Sequence, residues 1–228
     1  MKKFELTTEF ITNMFGIKLF RIKALVEFGN VKAGELGGYV EKEENVSQDG
    51  NAWVYGNAKV SGNAEIYGNA WISGNAKVSG NAKVYGGAKI SGNAEISGNA
   101  WIYGNAKVSG NAKVYGGAWV YGNAKISSNA KVYNDAEVSG NAEISGNAWV
   151  YGNADYALIQ GFGTEFRCTT FYRGKNKKIM VNCGCFHGDL EEFRKQVKET
   201  RSGKIAKEYL MIADLMEYHF ASEDSSNE

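Results

Sequence analysis

The residues closest in type and spacing to reactive chemistry lie late in the chain, where Cys183, Cys185 and His187 alternate and Cys168 precedes them. Residues two apart on a strand share a face. A hairpin of residues 162–172 and 177–186, turning at Lys175-Asn176, would set Cys168 directly opposite Cys183, and zinc takes ligands of these kinds. The same face, however, carries Phe166, Tyr172, Ile179 and Val181. Apolar company of that sort favours thiols packed under helices, so the reading is three reduced, metal-free cysteines. A Cys–His nucleophile pair gains no support either: His187 and His219, the chain's 2 histidines, have no Asp or Glu at a diagnostic spacing. No catalytic residue, metal or cofactor is assigned.

Two further sets recur every eighteen residues: Lys89, Lys107 and Lys125, and Tyr67, Tyr85, Tyr103 and Tyr121 with Trp101 and Trp119. What they can do depends on the element that carries them. From Gly50 to Ala157 the unit Gly-Asn-Ala-x-(Val/Ile)-(Ser/Tyr) repeats eighteen times. Ala and Val/Ile are two residues apart, the period of a strand with one buried face, and Gly-Asn supplies a corner. Every strand has the same inward pattern and direction, so the chain must coil into a parallel solenoid.

The outward Ser/Tyr position sets the coil period, because stacked neighbours should resemble one another. Compared three units apart, 11 of 14 pairs match; two units apart, 7 of 15 do. The coil is therefore three units, eighteen residues, with a triangular section. One face stacks Tyr55, Ser73, Ser91, Ser109, Ser127 and Ser145; the second Ser61, Ser79, Ser97, Tyr115, Tyr133 and Tyr151; the third Tyr67, Tyr85, Tyr103, Tyr121 and Ser139. Six coils at about 4.8 Å make a prism of roughly 29 Å.

On this geometry Trp101 and Trp119 flank Tyr103 and Tyr121 beside Tyr67 and Tyr85, an outward aromatic patch. Such a patch either stabilises adjacent coils or anchors a partner. Lys89, Lys107 and Lys125 stack on the first face, where mutual repulsion would welcome an anion, although exposed lysines also splay into water.

The unit, for example Val60-Ser61-Gly62-Asn63-Ala64-Glu65, resembles that of the hexapeptide-repeat, left-handed parallel β-helix proteins. It departs at its second position, Ser or Tyr here. The resemblance implies the left hand of the coil and a homotrimer. The stretch Gly34 to Gly50 looks like the lead-in of hexapeptide-repeat proteins often encoded by bacteriophages and bacterial genomes. Enzymes of this fold usually build an acyl-transfer site from corner loops and a coil-borne His; between Gly50 and Ala157 there is neither.

The open first coil needs a cap, assigned to residues 1–49, with Thr8 capping a short helix through Phe15 and a strand-like run over 17–28. Residues 158–221 read as a hairpin plus two helices. The first helix has Asp189 as N-cap and ends near Arg201. The second, over 204–220, has Ile205, Tyr209, Ile212, Leu215, Met216 and His219 near one stripe. The tail 222–228 is expected to be disordered. The fold class is thus mainly β: a parallel β-helix of six coils, a β-rich cap and a small α+β module.

Formal net charge is +1, no strong nucleic-acid footprint. The start MKKFELTTEF lacks the apolar core of a secretory signal, and no run has membrane-spanning length. Cysteines odd in number and confined to the region after the coil point to a reducing, cytoplasmic setting. The expected function is a non-enzymatic binding or scaffold protein, trimeric, with a protein or small-ligand partner. Two alternatives come from the resemblance: an acyltransferase relative using coenzyme A, and a phage accessory protein binding a host defence protein or its nucleotide signal.

Overall fold

The computed structural model describes residues 1–175 and 177–221, so the expectation for the tail 222–228 and the turn residue Asn176 lie outside the described residues. Three strands open the chain: β1 (Phe4–Thr12), β2 (Lys18–Ala24) and β3 (Leu36–Val40). Seventeen two-residue strands follow, β4 (Trp53–Val54) through β20 (Trp149–Val150), one per repeat unit. A four-stranded antiparallel sheet comes next, β21 (Tyr156–Phe162), β22 (Arg167–Arg173), β23 (Ile179–Cys183) and β24 (Phe186–Asp189), then helices α1 (Leu190–Thr200) and α2 (Gly203–Phe220).

The repeats form a β-solenoid of about six turns. From β4 to β17 each strand pairs in parallel with the strand eighteen residues on, as Trp101 with Trp119 and Lys89 with Lys107. The backbone ladder is continuous across coils: Trp101 N–H donates to Ala118 O at 2.9 Å and Tyr103 N–H to Val120 O at 3.0 Å. Repeat Ala and Val/Ile side chains from Ala52 to Val150 are buried, packed as one column of core inside the prism. The last unit, Gly152 to Ala157, leaves the coil through a short 3-10 turn at Asn153–Asp155.

The first glycine of each corner from Gly50 to Gly146 has positive φ, and from Gly62 to Gly122 a Cβ there would meet the backbone of the next corner at 2.8–3.3 Å. Ser128 (φ 59) and Asn134 (φ 50) occupy the same left-handed region at the two irregular corners. Corner asparagines join coil to coil: Asn75, Asn93, Asn111, Asn129 and Asn147 form a ladder in which each Nδ2 donates to the next Oδ1 at 3.0–3.2 Å. Beyond forming the turn, these amides satisfy one another along a solvent-facing edge.

The cap differs from its expected form. No helix runs from Thr8 to Phe15; Thr8 to Thr12 belong to β1 and Asn13 to Phe15 to the turn after it, and β1 pairs antiparallel with β2 from Phe4↔Ala24 to Thr12↔Lys18. Asn13 explains the reversal, its Oδ1 accepting from Phe15 N–H and Ile17 N–H at 2.9 and 3.0 Å to close a turn. β3 then pairs in parallel with the second coil strand, Val40 beside Val60, and Val46 bridges to Ile66, so residues 34–50 do form a lead-in coil.

This cap buries Trp53, whose repeat position points outward elsewhere. Its ring meets Phe4 and Phe28 edge-on, centroids 5.9 and 5.4 Å apart. Lys3 closes the same end, Nζ donating to Ala52 O at 2.9 Å, and burial pulls its pKa down to about 8.

At the far end the four-stranded sheet is two-faced. Tyr172, Met180 and Leu158 close the solenoid core, while Phe171, Val181 and Cys183 pack under α1 and α2. Here the register differs from expectation by one residue: Thr169, not Cys168, stands opposite Cys183, because the loop between Arg173 and Ile179 has five residues. A one-residue shift changes the face of every side chain on the strand. Cys168 and Tyr172 therefore lie on the coil side of the sheet and Cys183 on the helix side, so the three cysteines do not share a face. Nor do Cys183, Cys185 and His187 share one strand, since Gly184 (φ 62) turns the chain between β23 and β24. The hairpin is in fact a meander whose first strand, β21, the expectation missed.

Helix α1 has its expected cap, Asp189 Oδ1 accepting from Glu192 N–H at 3.0 Å. On α2 the buried residues are Ile212, Ala213, Met216 and Phe220; Leu215 and His219 are exposed. The buried line runs one position from the expected one because α2 rests on both α1 and β21. No helix among the described residues is long and apolar enough to cross a membrane.

Candidate functional site: the outward columns of the coil

The third face carries an aromatic strip in strict register. Tyr67, Tyr85, Tyr103 and Tyr121 stack with ring centroids 4.7, 5.0 and 4.9 Å apart and planes within 4°. Beside them Trp101 lies on Trp119 at 5.3 Å, and Tyr85 meets Trp101 edge-on at 6.4 Å. The column exists because each ring leaves the same position of successive coils, and strand spacing is close to the preferred offset-stacking distance. The tyrosines are half-buried by one another; Trp119 is exposed. Burial raises the pKa of Tyr67, Tyr85 and Tyr103, so these hydroxyls stay neutral donors.

Sequence reasoning did not single out a second column, Tyr115, Tyr133 and Tyr151, with centroids 5.5 and 5.1 Å apart. Trp149 adjoins it, with Lys131 Nζ 4.6 Å above the indole. The eighteen-residue spacing that revealed the first column also contains this one.

Lys89, Lys107 and Lys125 do pair in register on the first face. Their ammonium groups are not three equal anion donors, however. Lys125 Nζ lies 2.5 Å from Glu143 Oε1, and Lys89 Nζ sits 5.9 Å over the Trp71 ring. Neither Lys89 nor Lys107 makes an ion pair among the described residues; of the three only Lys125 does.

On the second face Glu95 is held between two coils, 2.8 Å from Lys113 Nζ and 3.2 Å from Lys77 Nζ, and it accepts from the Tyr115 hydroxyl at 3.2 Å. The Lys113 hydrogen bond, helped by Lys77 and Tyr115 and opposed by burial, lowers its pKa to about 2. A carboxylate whose folded pKa is depressed contributes stability above its ordinary value of 4.5, and that contribution is lost as pH falls from 4.5 towards 2. Solvent screening limits the effect to about 1 kcal/mol. Urea unfolding at pH 6 and pH 2 should show the wild type losing about 1 kcal/mol more than Glu95→Gln; equal losses would refute the linkage.

The junction between coil and sheet gathers Ser145, Tyr172, Asn182 and His187. Asn182 Nδ2 donates to Glu143 O at 2.7 Å and to Ser145 Oγ at 3.1 Å, which leaves its Oδ1 as acceptor for His187 Nδ1 at 2.5 Å. That network assigns the proton to Nδ1. Ser145 Oγ, 3.4 Å from the same nitrogen, therefore has no base in this arrangement. Glu143 N–H also donates to Thr170 Oγ1 at 2.9 Å. The cluster clamps the last coil to its cap by satisfying backbone groups that the missing next coil would have taken. Among the described residues no group of three or more His, Cys, Asp or Glu could hold a metal ion.

No family model matches this chain, and no curated protein matches it.

Proposed function

We propose that the protein is a non-enzymatic scaffold whose rigid, capped prism presents outward aromatic columns as a docking surface, first to copies of itself in a homotrimer and then to a protein partner. The observation that carries the reading is the third-face strip, in which Tyr67, Tyr85, Tyr103, Tyr121, Trp101 and Trp119 are held by stacking. Rings fixed before contact lose little side-chain entropy on association, and Tyr and Trp are the residues that most often dominate interface energy. The left hand and the trimer both follow from the hexapeptide-repeat resemblance.

Light scattering at micromolar concentration is expected to give three times the chain mass, and Trp101→Ala with Trp119→Ala to give a single chain mass with the fold retained by circular dichroism. A wild type of single mass overturns the trimer, and a trimer unaffected by the double variant removes the strip from its interface. Acetyl-coenzyme A turnover that disappears in His187→Ala would replace the scaffold reading with acyl transfer.

A further inference from the structure

The outer side of the C-terminal module holds a pocket of about 330 Å³ that closing the coil does not require. It lies between the turn joining β21 to β22, the turn joining β23 to β24, and the two helices. Of the chain's arginines, Arg21 pairs with Glu9, Arg173 with Asp155, and Arg194 with Asp214 and Glu217. The remaining two, Arg167 and Arg201, make no ion pair among the described residues, and both line this pocket. Glu165 is the one carboxylate on its described wall, so the lining keeps a net positive charge.

The Tyr209 hydroxyl reaches the same space, donating weakly to Phe162 O at 3.4 Å. Burial, then the neighbouring Cys183, raises its pKa, while Arg201 and Arg167 pull it down. Two glycines at positive φ make the close approaches available. A Cβ on Gly184 would stand 2.5 Å from Arg167 Nη1, and one on Gly163 would overlap the Tyr209 hydroxyl. Phe186 and Phe193, centroids 5.4 Å apart, supply apolar wall. Guanidinium groups with no carboxylate partner among the described residues, Arg201 donating only to Thr200 O at 3.2 Å, together with a phenolic donor and an aromatic wall around one small cavity, match an oxyanion on an apolar body.

We propose that this pocket binds a small organic oxyanion, a carboxylate or phosphate monoester on an aromatic body, with Arg167 and Arg201 holding the charged group and Phe186 and Phe193 the ring. The site is independent of the aromatic columns. Phenyl phosphate and benzoate are the probes, and phenol is the uncharged control, each titrated calorimetrically into the full chain at low ionic strength.

One-to-one binding of either anion is expected, the tighter one naming the head group, with none for phenol. Arg167→Gln and Arg201→Gln should each weaken it about tenfold, the worth of one charge-assisted hydrogen bond, without moving the melting temperature. Bound probe should also slow alkylation of Cys185, which lines the pocket, and leave Cys168, on the other face of β22, unchanged. Neither anion saturating by about 10 mM, equal binding of phenol, or affinity unchanged in the double arginine variant would overturn the proposal.

Discussion

Gly98→Ala is expected to destabilise the solenoid by about 3 kcal/mol, combining left-handed backbone strain of roughly 1–2 kcal/mol with an overpacking cost of similar size. Gly98 has φ 72, and a Cβ there would lie 2.8 Å from Gly116 O and 2.9 Å from Gly116 N. Those are backbone atoms of the next corner, in a stack joined by hydrogen bonds, so relief requires two coils to separate locally. The opposite change supplies the control. Ser128 already carries φ 59 without being glycine, and Ser128→Gly should gain about 0.5–1 kcal/mol by removing strain. Urea unfolding followed by circular dichroism measures both; a Gly98→Ala variant as stable as the wild type would mean that the corners are not set by backbone contact.

Trp53→Ala should cost more, about 3–5 kcal/mol, the range for truncating a buried aromatic side chain. Trp53 is fully buried and joins three parts of the fold: Phe4 on β1, Phe28 in the loop after β2, and the first coil. Its Nε1 is buried without a hydrogen-bond partner among the described residues. Trp53→Phe should therefore lose much less, because it removes that unsatisfied donor along with part of the ring. Trp119→Ala, at the same unit position on an exposed surface, is the comparison. Similar losses at Trp53 and Trp119 would show that the cap does not depend on the buried ring.

The contrast between these two tryptophans shows how far the sequence could be read. Trp53 and Trp119 stand in the same unit, Gly-Asn-Ala-Trp-Val-Tyr or its Gly-Gly variant; only the β1–β2 hairpin laid over the first coil separates them. The coil was legible because its rules are local and repeated, and the Ser/Tyr choices carried the period that brings Tyr85 onto Tyr103. The cap had no such redundancy. In β1 the alternation is interrupted by the register shift between Leu6 and Phe10, which hides the strand. One residue of loop length between Arg173 and Ile179 decided which face Cys168 occupies, and no pattern nearby specified it. The arginine pocket was beyond reach for another reason: its walls come from two turns and two helices distant in sequence.

Eighteen near-identical units also pose a problem of addressing. Inside the prism every Ala and Val/Ile is interchangeable with its counterparts, so a growing coil could loop out one unit and resume stacking with its interior intact. Such an error would rotate all later strands onto the wrong side of the triangle. Interior packing and the corner asparagines would scarcely register it, since every unit offers nearly the same groups. The outward rings would: a slip of six residues takes Tyr103 off Tyr85 and ends the Trp101–Trp119 stack, losing about 0.5–1.5 kcal/mol for each pair. The tyrosine columns thus act as a key along the thread, letting a chain of repeated words be wound in only one phase.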